Sequence, residues 1–310
     1  MKTVLISGGT GLIGSALTRE LIKNGFDVII LTRNTSRKKN TGKISYAEWN
    51  IREEIIDARA IEKADYIIHL AGANVAQKRW SEKRKKEIVD SRVQSGQLLV
   101  KALKEIPNKV KAIVSASAIG WYGPDAQLLN PRSFIETDNA ANDFLGTTCQ
   151  QWESAIQPVT QIGKRLVILR TGIVLSKDGG AFVEFKKPLQ FGVASILGSG
   201  KQVISWIHIN DLVRLYMYAI ENENISGIYN AVAPEPVTNK TLVMEMAKQR
   251  NKFYVPVTVP SFVLKAVLGE MSIEVLKSAT VSNKKIEATG FQFWFSGIQT
   301  AVHNLIKQKK

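Results

Sequence analysis

The feature that most limits the fold is the join between the first apolar run and the first helical one. Thr3–Ser7 is short and apolar, Ser7-Gly8-Gly9-Thr10-Gly11-Leu12-Ile13-Gly14 follows at once, and Leu12–Lys23 spaces its apolar residues as a helix does. A strand that enters a helix through glycines opens a β–α–β unit. One glycine permits the sharp turn off the strand, Gly11 lets the backbone close on a pyrophosphate, and Gly14 lets helix and strand pack tightly. Two registers fit, Gly9-x-Gly11-x-x-Gly14 and Gly8-x-x-Gly11-x-x-Gly14. In either, free amides and the positive end of the helix dipole face an anion. A dinucleotide held by Gly8, Thr10, Gly11, Leu12, Ile13 and Gly14 is the expectation.

Further strand-like runs lie at Val28–Thr32, Ile44–Trp49, Tyr66–Leu70, Ala112–Ser115 and Leu166–Leu169. Helix-period stretches separate most of them, notably Glu82–Lys104 and Phe144–Ile162. Such alternation builds a parallel sheet covered on both faces, and the near-continuous apolar strands agree. After Arg170 the pattern changes, as Gly179-Gly180, Gly192, Gly198 and Gly200 break up Thr171–Gln202. Ser205–Ile209 reads as a strand, Asp211–Ile220 as a helix capped by Asp211, and Gly227–Asn230 as a strand. Pro234, Pro236, Pro256 and Pro260 then surround helical pieces at Leu242–Gln249, Ser261–Leu268 and Ile298–Ile306. The prediction is an α/β protein: a doubly wound parallel Rossmann sheet with a smaller, mostly helical C-terminal lobe. Residues 1–171 and 203–232 are expected to form the dinucleotide-binding domain, and 172–202 and 233–310 a lobe covering the substrate.

At 310 residues, 45% of them apolar, the chain can bury a large core, and no stretch approaches the ~20 apolar residues of a membrane span. The single cysteine, Cys149, excludes an intramolecular disulfide and fits a cytoplasmic setting. With only three histidines besides, no structural metal is expected. The net charge of +15 raises the question of nucleic acid. The densest basic run, Lys78 to Lys86, continues into a helix whose apolar residues are Ile88, Val89, Val93 and Leu99, so its lysines read as a solvated face. Neither nucleic acid nor membrane is expected as a partner; a homodimer is compatible with the sequence.

The second strand ends Leu31-Thr32-Arg33-Asn34. An NAD-preferring site places an acid there for the ribose hydroxyls, whereas Asp27 lies at the other end of this strand. Arg33, with Arg37 and Lys38 behind it, suits a 2′-phosphate, which favours NADP(H) over NAD(H).

Taken together, several stretches resemble the extended short-chain dehydrogenase/reductases. They are Gly8–Gly14, His69-Leu70-Ala71-Gly72-Ala73-Asn74, Arg79-Trp80-Ser81 with Asp90-Ser91-Arg92, Ser115 to Gly123, Leu169-Arg170-Thr171-Gly172, Trp206 to Asp211, Tyr229 to Pro234, Leu268-Gly269-Glu270 and Gly290-Phe291. Within that group the chain is similar to a branch of nucleoside-diphosphate-sugar epimerases, some described as cell-division inhibitors and related to the plant giant-chloroplast division protein. The resemblance implies that Leu70, Ala71 and Gly72 line the adenine and ribose, with Ser115 also beside the cofactor. It places Ser117 at the active-site Ser/Thr, whose hydroxyl can bond a substrate alcohol or carbonyl.

The family's Tyr-x-x-x-Lys proton relay is missing, because its slots hold Leu145 and Cys149. The position often filled by an active-site Asn is Arg92. Tyr122 is the best substitute acid, with Asn74, Arg92 or Lys164 as polar or cationic help; the competing reading of Tyr122 is a packing residue. Cys149 reads as a buried inert thiol and His208 as structural. Two functions stay open. One is an NADP(H)-dependent, epimerase/dehydratase-like oxidoreductase acting on a small polar substrate, including nucleotide sugars; the other is a non-catalytic NADPH-binding regulator, for example in cell division.

Overall fold

The computed structural model describes residues 2–36, 38–125 and 132–307. Its strands are β1 (Thr3–Ser7), β2 (Asp27–Thr32), β3 (Ile44–Asn50), β4 (Ile55–Ile56), β5 (Tyr66–His69), β6 (Ala112–Ala118), β7 (Arg165–Thr171), β8 (Ile173–Leu175), β9 (Val193–Leu197), β10 (Val203–Ile204), β11 (Trp206–His208), β12 (Gly227–Ala231), β13 (Val237–Thr238) and β14 (Val255–Val259). The helices are α1 (Leu12–Lys23), α2 (Ala58–Lys63), α3 (Glu82–Glu105), α4 (Phe144–Ile156), α5 (Ala181–Leu189), α6 (Ile209–Glu221), α7 (Asn239–Gln249), α8 (Ser261–Leu268), α9 (Ser272–Leu276), α10 (Lys284–Glu287) and α11 (Ile298–Lys307).

Eight strands form the main sheet in the order β12-β7-β6-β5-β1-β2-β3-β4, and only β3–β4 is antiparallel. Strands β1 and β5 to β7 have nearly every residue buried because helices cover both faces. On one face Leu17 and Leu21 of α1 pack with Leu212 and Leu215 of α6; on the other, Ile61 of α2 packs with Leu99 and Leu103 of α3. The doubly wound sheet expected from the alternation is the one observed. The chain winds outward from β1 in both directions, so a crevice opens beyond the carboxyl ends of β1 and β5.

A third core holds Leu175, Phe182, Trp206, Leu242, Met246 and Val302, with α5, α7 and α11 around it. Strand pairs also lie outside the main sheet: β9 with β14 in parallel, and β10 with β13 antiparallel, the latter joining the 203–232 segment to the C-terminal one. These were not legible because β14 carries Pro256 and its partner lies in the glycine-broken segment. Helix α5 falls in that segment too. Gly180, at φ +72, makes the turn into it, and Pro188 sits near its end, so glycine and proline there bound a helix.

One expectation is corrected: α6 is capped by His208, not Asp211. His208 Nδ1 accepts from the Asn210 amide at 3.1 Å, and its ring stacks on Phe295 with centroids 3.8 Å apart. The buried Asp211 carboxylate instead accepts the Trp294 and Phe295 amides, each at 2.9 Å, and tethers the C-terminal segment. Among the described residues no helix is long and apolar enough to cross a membrane.

Candidate functional site

The glycine turn sits at the crevice. Gly8 has φ +73, and a Cβ there would lie 2.8 Å from the Leu70 carbonyl carbon and oxygen. A Cβ on Gly14 would meet Gly8 O at 2.4 Å. Gly11 is the N-cap of α1, and its amide donates to Gly8 O at 3.0 Å. Gly9 is needed as well, because a Cβ there would meet Ile30 at 2.9 Å, so the glycines of both registers are sterically required.

What α1 lacks matters as much. No side chain caps it and no acid lies in its first turn, whereas Ser81, Asp143 and Thr238 cap α3, α4 and α7. The amides of Leu12 and Ile13 have no carbonyl one turn back to bond. Thr10 and Gly11 are exposed beside them. An uncapped helix start without a competing carboxylate is chemically an anion site.

The loop after β5 is pinned to this turn. Ser7 Oγ lies 2.7 Å from His69 Nδ1 and accepts the Ala71 amide at 3.3 Å, and His69 Nε2 lies 3.3 Å from Ser95 Oγ. Leu70, Ala71 and Gly72 are thereby held against the glycine turn. Ser115, beside His69 in the sheet register, is buried and its Oγ donates to Ala116 O at 3.2 Å. Arg33 is exposed at the end of β2; Arg37 lies outside the described residues. An acid that the sequence order concealed, Glu48 on β3, pairs in register with Thr32 and is exposed at the same sheet end.

Burial holds His69 and His208 down at a pKa of about 4, against 6.5 for a free imidazole. Both are then neutral in the folded protein, while the unfolded chain takes up protons below pH about 6.5. Stability is expected to be full above that pH and to fall as pH drops from about 6.5 to about 4, by on the order of 3 kcal/mol for each histidine. Urea titrations at stepped pH test this, with His69→Gln flattening the slope; a pH-independent midpoint across that window would refute it.

Beyond β6 lies a buried polar cluster. Ser117 Oγ donates to Glu153 Oε1 at 2.6 Å. Arg170 grips the same carboxylate through Nε–Oε1 at 2.8 Å and Nη2–Oε2 at 2.9 Å, and stacks on Trp121 at 3.6 Å. Arg170 Nη1 also donates to the Tyr122 hydroxyl at 3.1 Å, which in turn donates to Asn230 Oδ1 at 2.8 Å. Tyr122 is 0% exposed and stacks on Phe134, and burial pushes its pKa up to about 12. Its hydroxyl is buried and engaged by a donor on β7 and an acceptor on β12. Of the two readings of Tyr122, substitute acid or packing residue, this placement favours the second. Leu145 packs against Gly120, where a Cβ would lie 3.2 Å from the leucine's own. Cys149 is buried with its thiol pushed up to about 12, first by burial and then by Glu153, so it is no nucleophile. Sequence reasoning missed Glu153, Asn230 and the partnering role of Arg170. The available signal was a charge inside or directly beside an apolar run.

A doubly wound sheet with an uncapped, glycine-lined helix start at its switch point defines a Rossmann-type dinucleotide fold of the extended short-chain dehydrogenase/reductase kind. Residues 4–148 match the NAD dependent epimerase/dehydratase family and residues 259–305 a domain of unknown function, DUF1731. An epimerase family protein of Staphylococcus aureus is 38% identical over 309 residues, spanning 99% of this chain and 100% of its own. The chain belongs to this NAD-dependent epimerase/dehydratase family. Among solved structures, human epimerase family protein SDR39U1 with NADPH superposes with a TM-score of 0.85 at 30% identity, covering 99% of this chain and 100% of that one. A nucleoside-diphosphate sugar epimerase from Corynebacterium glutamicum gives 0.78 at 29% identity, over 100% of this chain and 59% of that one.

Proposed function

We propose that the protein binds NADP(H) at the α1 turn and works as an oxidoreductase of the epimerase type on a small polar substrate, without the Tyr-x-x-x-Lys relay. The observation that carries this is the acid-free, uncapped start of α1 beneath Gly8 and Gly11. When bound there, the nicotinamide supplies hydride chemistry. The amides of Leu12 and Ile13 would hold the pyrophosphate, and the loop Leu70–Gly72 would flank the ribose. Arg33, exposed and without an acidic partner among the described residues, would meet a 2′-phosphate. The NADPH in the human relative supports the same preference.

Loss of the relay lowers the rate without forbidding turnover, since proton transfer contributes about 10²–10⁴-fold. Ser117 remains the hydroxyl at the end of β6 that can move a proton, with Glu153 fixing its direction. We expect NADPH to bind about tenfold or more tightly than NADH, and Arg33→Ala to remove most of that difference. Fluorescence titration with both nucleotides checks this; equal or tighter NADH binding would overturn the NADP assignment. A second reading, a non-catalytic NADPH-responsive regulator, is favoured by the burial of Ser117 and Tyr122. Mass spectrometry of protein as purified, for bound nucleotide and any retained small molecule, together with turnover of Ser117→Ala over a substrate panel, separates the two. Tight NADPH binding with no oxidation of any candidate selects the regulator.

A further inference from the structure

Arg92 lies on α3 against the loop that follows β5: a Cβ on Gly72 would sit 3.1 Å from its guanidinium carbon. Nη1 donates to Ala73 O at 3.0 Å and to Ile88 O at 2.9 Å, and the plane lies 4.8 Å from the Trp152 ring on α4. Among the described residues Nε and Nη2 have no hydrogen-bond acceptor, and no carboxylate pairs with the group. Other arginines contrast with it. Arg84, Arg170 and Arg214 each have a carboxylate, and Arg165 donates to three backbone carbonyls. Glu153, the acid on the neighbouring helix, has both oxygens engaged by Ser117 and Arg170. Buried Trp152 Nε1, in the same cluster, likewise lacks an acceptor.

The two unused nitrogens form one edge of the guanidinium, the same edge through which Arg170 holds Glu153. That fork matches a planar carboxylate or a phosphate bidentately. Burial lowers the pKa of Arg92 to about 10, so the charge persists at neutral pH, and no carboxylate among the described residues pairs with it. A half-buried cation, held in place by two carbonyls and an aromatic ring with one edge still open to solvent, offers that edge to an anion.

We propose that Arg92 anchors an anionic group, a carboxylate or phosphate, on the ligand that lies against Gly72. The proposal rests on the crevice being the nucleotide and substrate site, and it makes the preferred substrate an acid or a phosphate ester, unless the anion belongs to the dinucleotide itself.

The test uses purified full-length protein with and without NADPH, and malonate and inorganic phosphate as probes, with chloride at matched ionic strength as control. Malonate or phosphate is expected to raise the Tm of the wild type at millimolar concentration. Arg92→Gln should weaken that binding about 10- to 100-fold. Arg92→Lys keeps a charge but loses the fork, so it should retain only part of the affinity; it also reads out the site if the glutamine variant does not fold. NADPH affinity unchanged in these variants places the anion on the substrate, and a loss of the same size places it on the dinucleotide. Equal anion binding by wild type and Arg92→Gln overturns the proposal. So does the absence of any anion effect together with unchanged NADPH affinity. Failure of the wild type to bind NADPH would instead sink the nucleotide reading, and the anion titration on nucleotide-free protein would still decide the role of Arg92.

Discussion

Replacing Glu153 with glutamine is expected to cost about 3–5 kcal/mol of folding stability, because it strips the counter-charge from a buried guanidinium. Arg170 is 1% exposed, and its two contacts with the carboxylate, at 2.8 and 2.9 Å, are the only ion pair it makes among the described residues. The amide would still accept from Ser117, yet the arginine would stay charged in a site with no water to solvate it. Breaking the pair is the costly change; replacing both partners by apolar residues of similar volume is not. Glu153→Leu combined with Arg170→Met should therefore recover much of the loss. Urea unfolding of the single and double variants decides the matter. A single-variant loss below about 1 kcal/mol would mean that the pair is solvated and worth no more than a surface salt bridge.

The second large effect concerns Gly14. A methyl group at this position would lie 2.4 Å from Gly8 O and within 2.6 Å of Gly9 Cα, both backbone atoms that cannot turn aside. Gly14→Ala should push α1 away from the turn and misalign the amides of Leu12 and Ile13. Losing even one or two hydrogen bonds to a charged group, at about 1.5–3 kcal/mol each, predicts NADPH affinity about 100-fold lower or worse. Gly25→Ala supplies the contrast. Its φ of +86 makes the substitution strained, but nothing lies within 4 Å of the new Cβ and the residue is remote from the turn. It should lower stability and leave NADPH affinity unchanged. Similar affinity losses in both variants would show that the glycine effect is global and not a property of the binding turn.

The sheet was legible because its signals are local. β1 and α1 begin and end where the apolar runs do, since a strand buried on both faces has to be apolar throughout and a helix has to repeat every 3.6 residues. The glycine turn was legible for the same reason: a positive φ at Gly8 restricts which residue can stand there. Which glycine spacing matters was not legible; the packing of Gly14 against both Gly8 O and Gly9 Cα requires the glycines of both. The second lobe hid its strands because β9 and β14 stabilise each other across 62 residues, and neither segment carries a strong pattern alone.

The reach of the sequence ended at the proton relay. That Leu145 and Cys149 stand in the relay slots is what the resemblance implies once the chain is aligned on Trp152-Glu153, and it needs no tertiary structure. The fate of Tyr122 could not be read that way. Its hydroxyl is satisfied by Asn230, 108 positions later, and by Arg170, 48 positions later, and both contacts arise only when β12 and β7 lie side by side. The resemblance places Arg92 at an active-site position, but only the packed helices show that no carboxylate among the described residues pairs with it. Backbone conformation and burial periodicity are fixed by neighbours in the chain, so sequence determined them; hydrogen-bond partners and uncompensated charges depend on which distant side chains share a small, dry volume, and folding alone decided those.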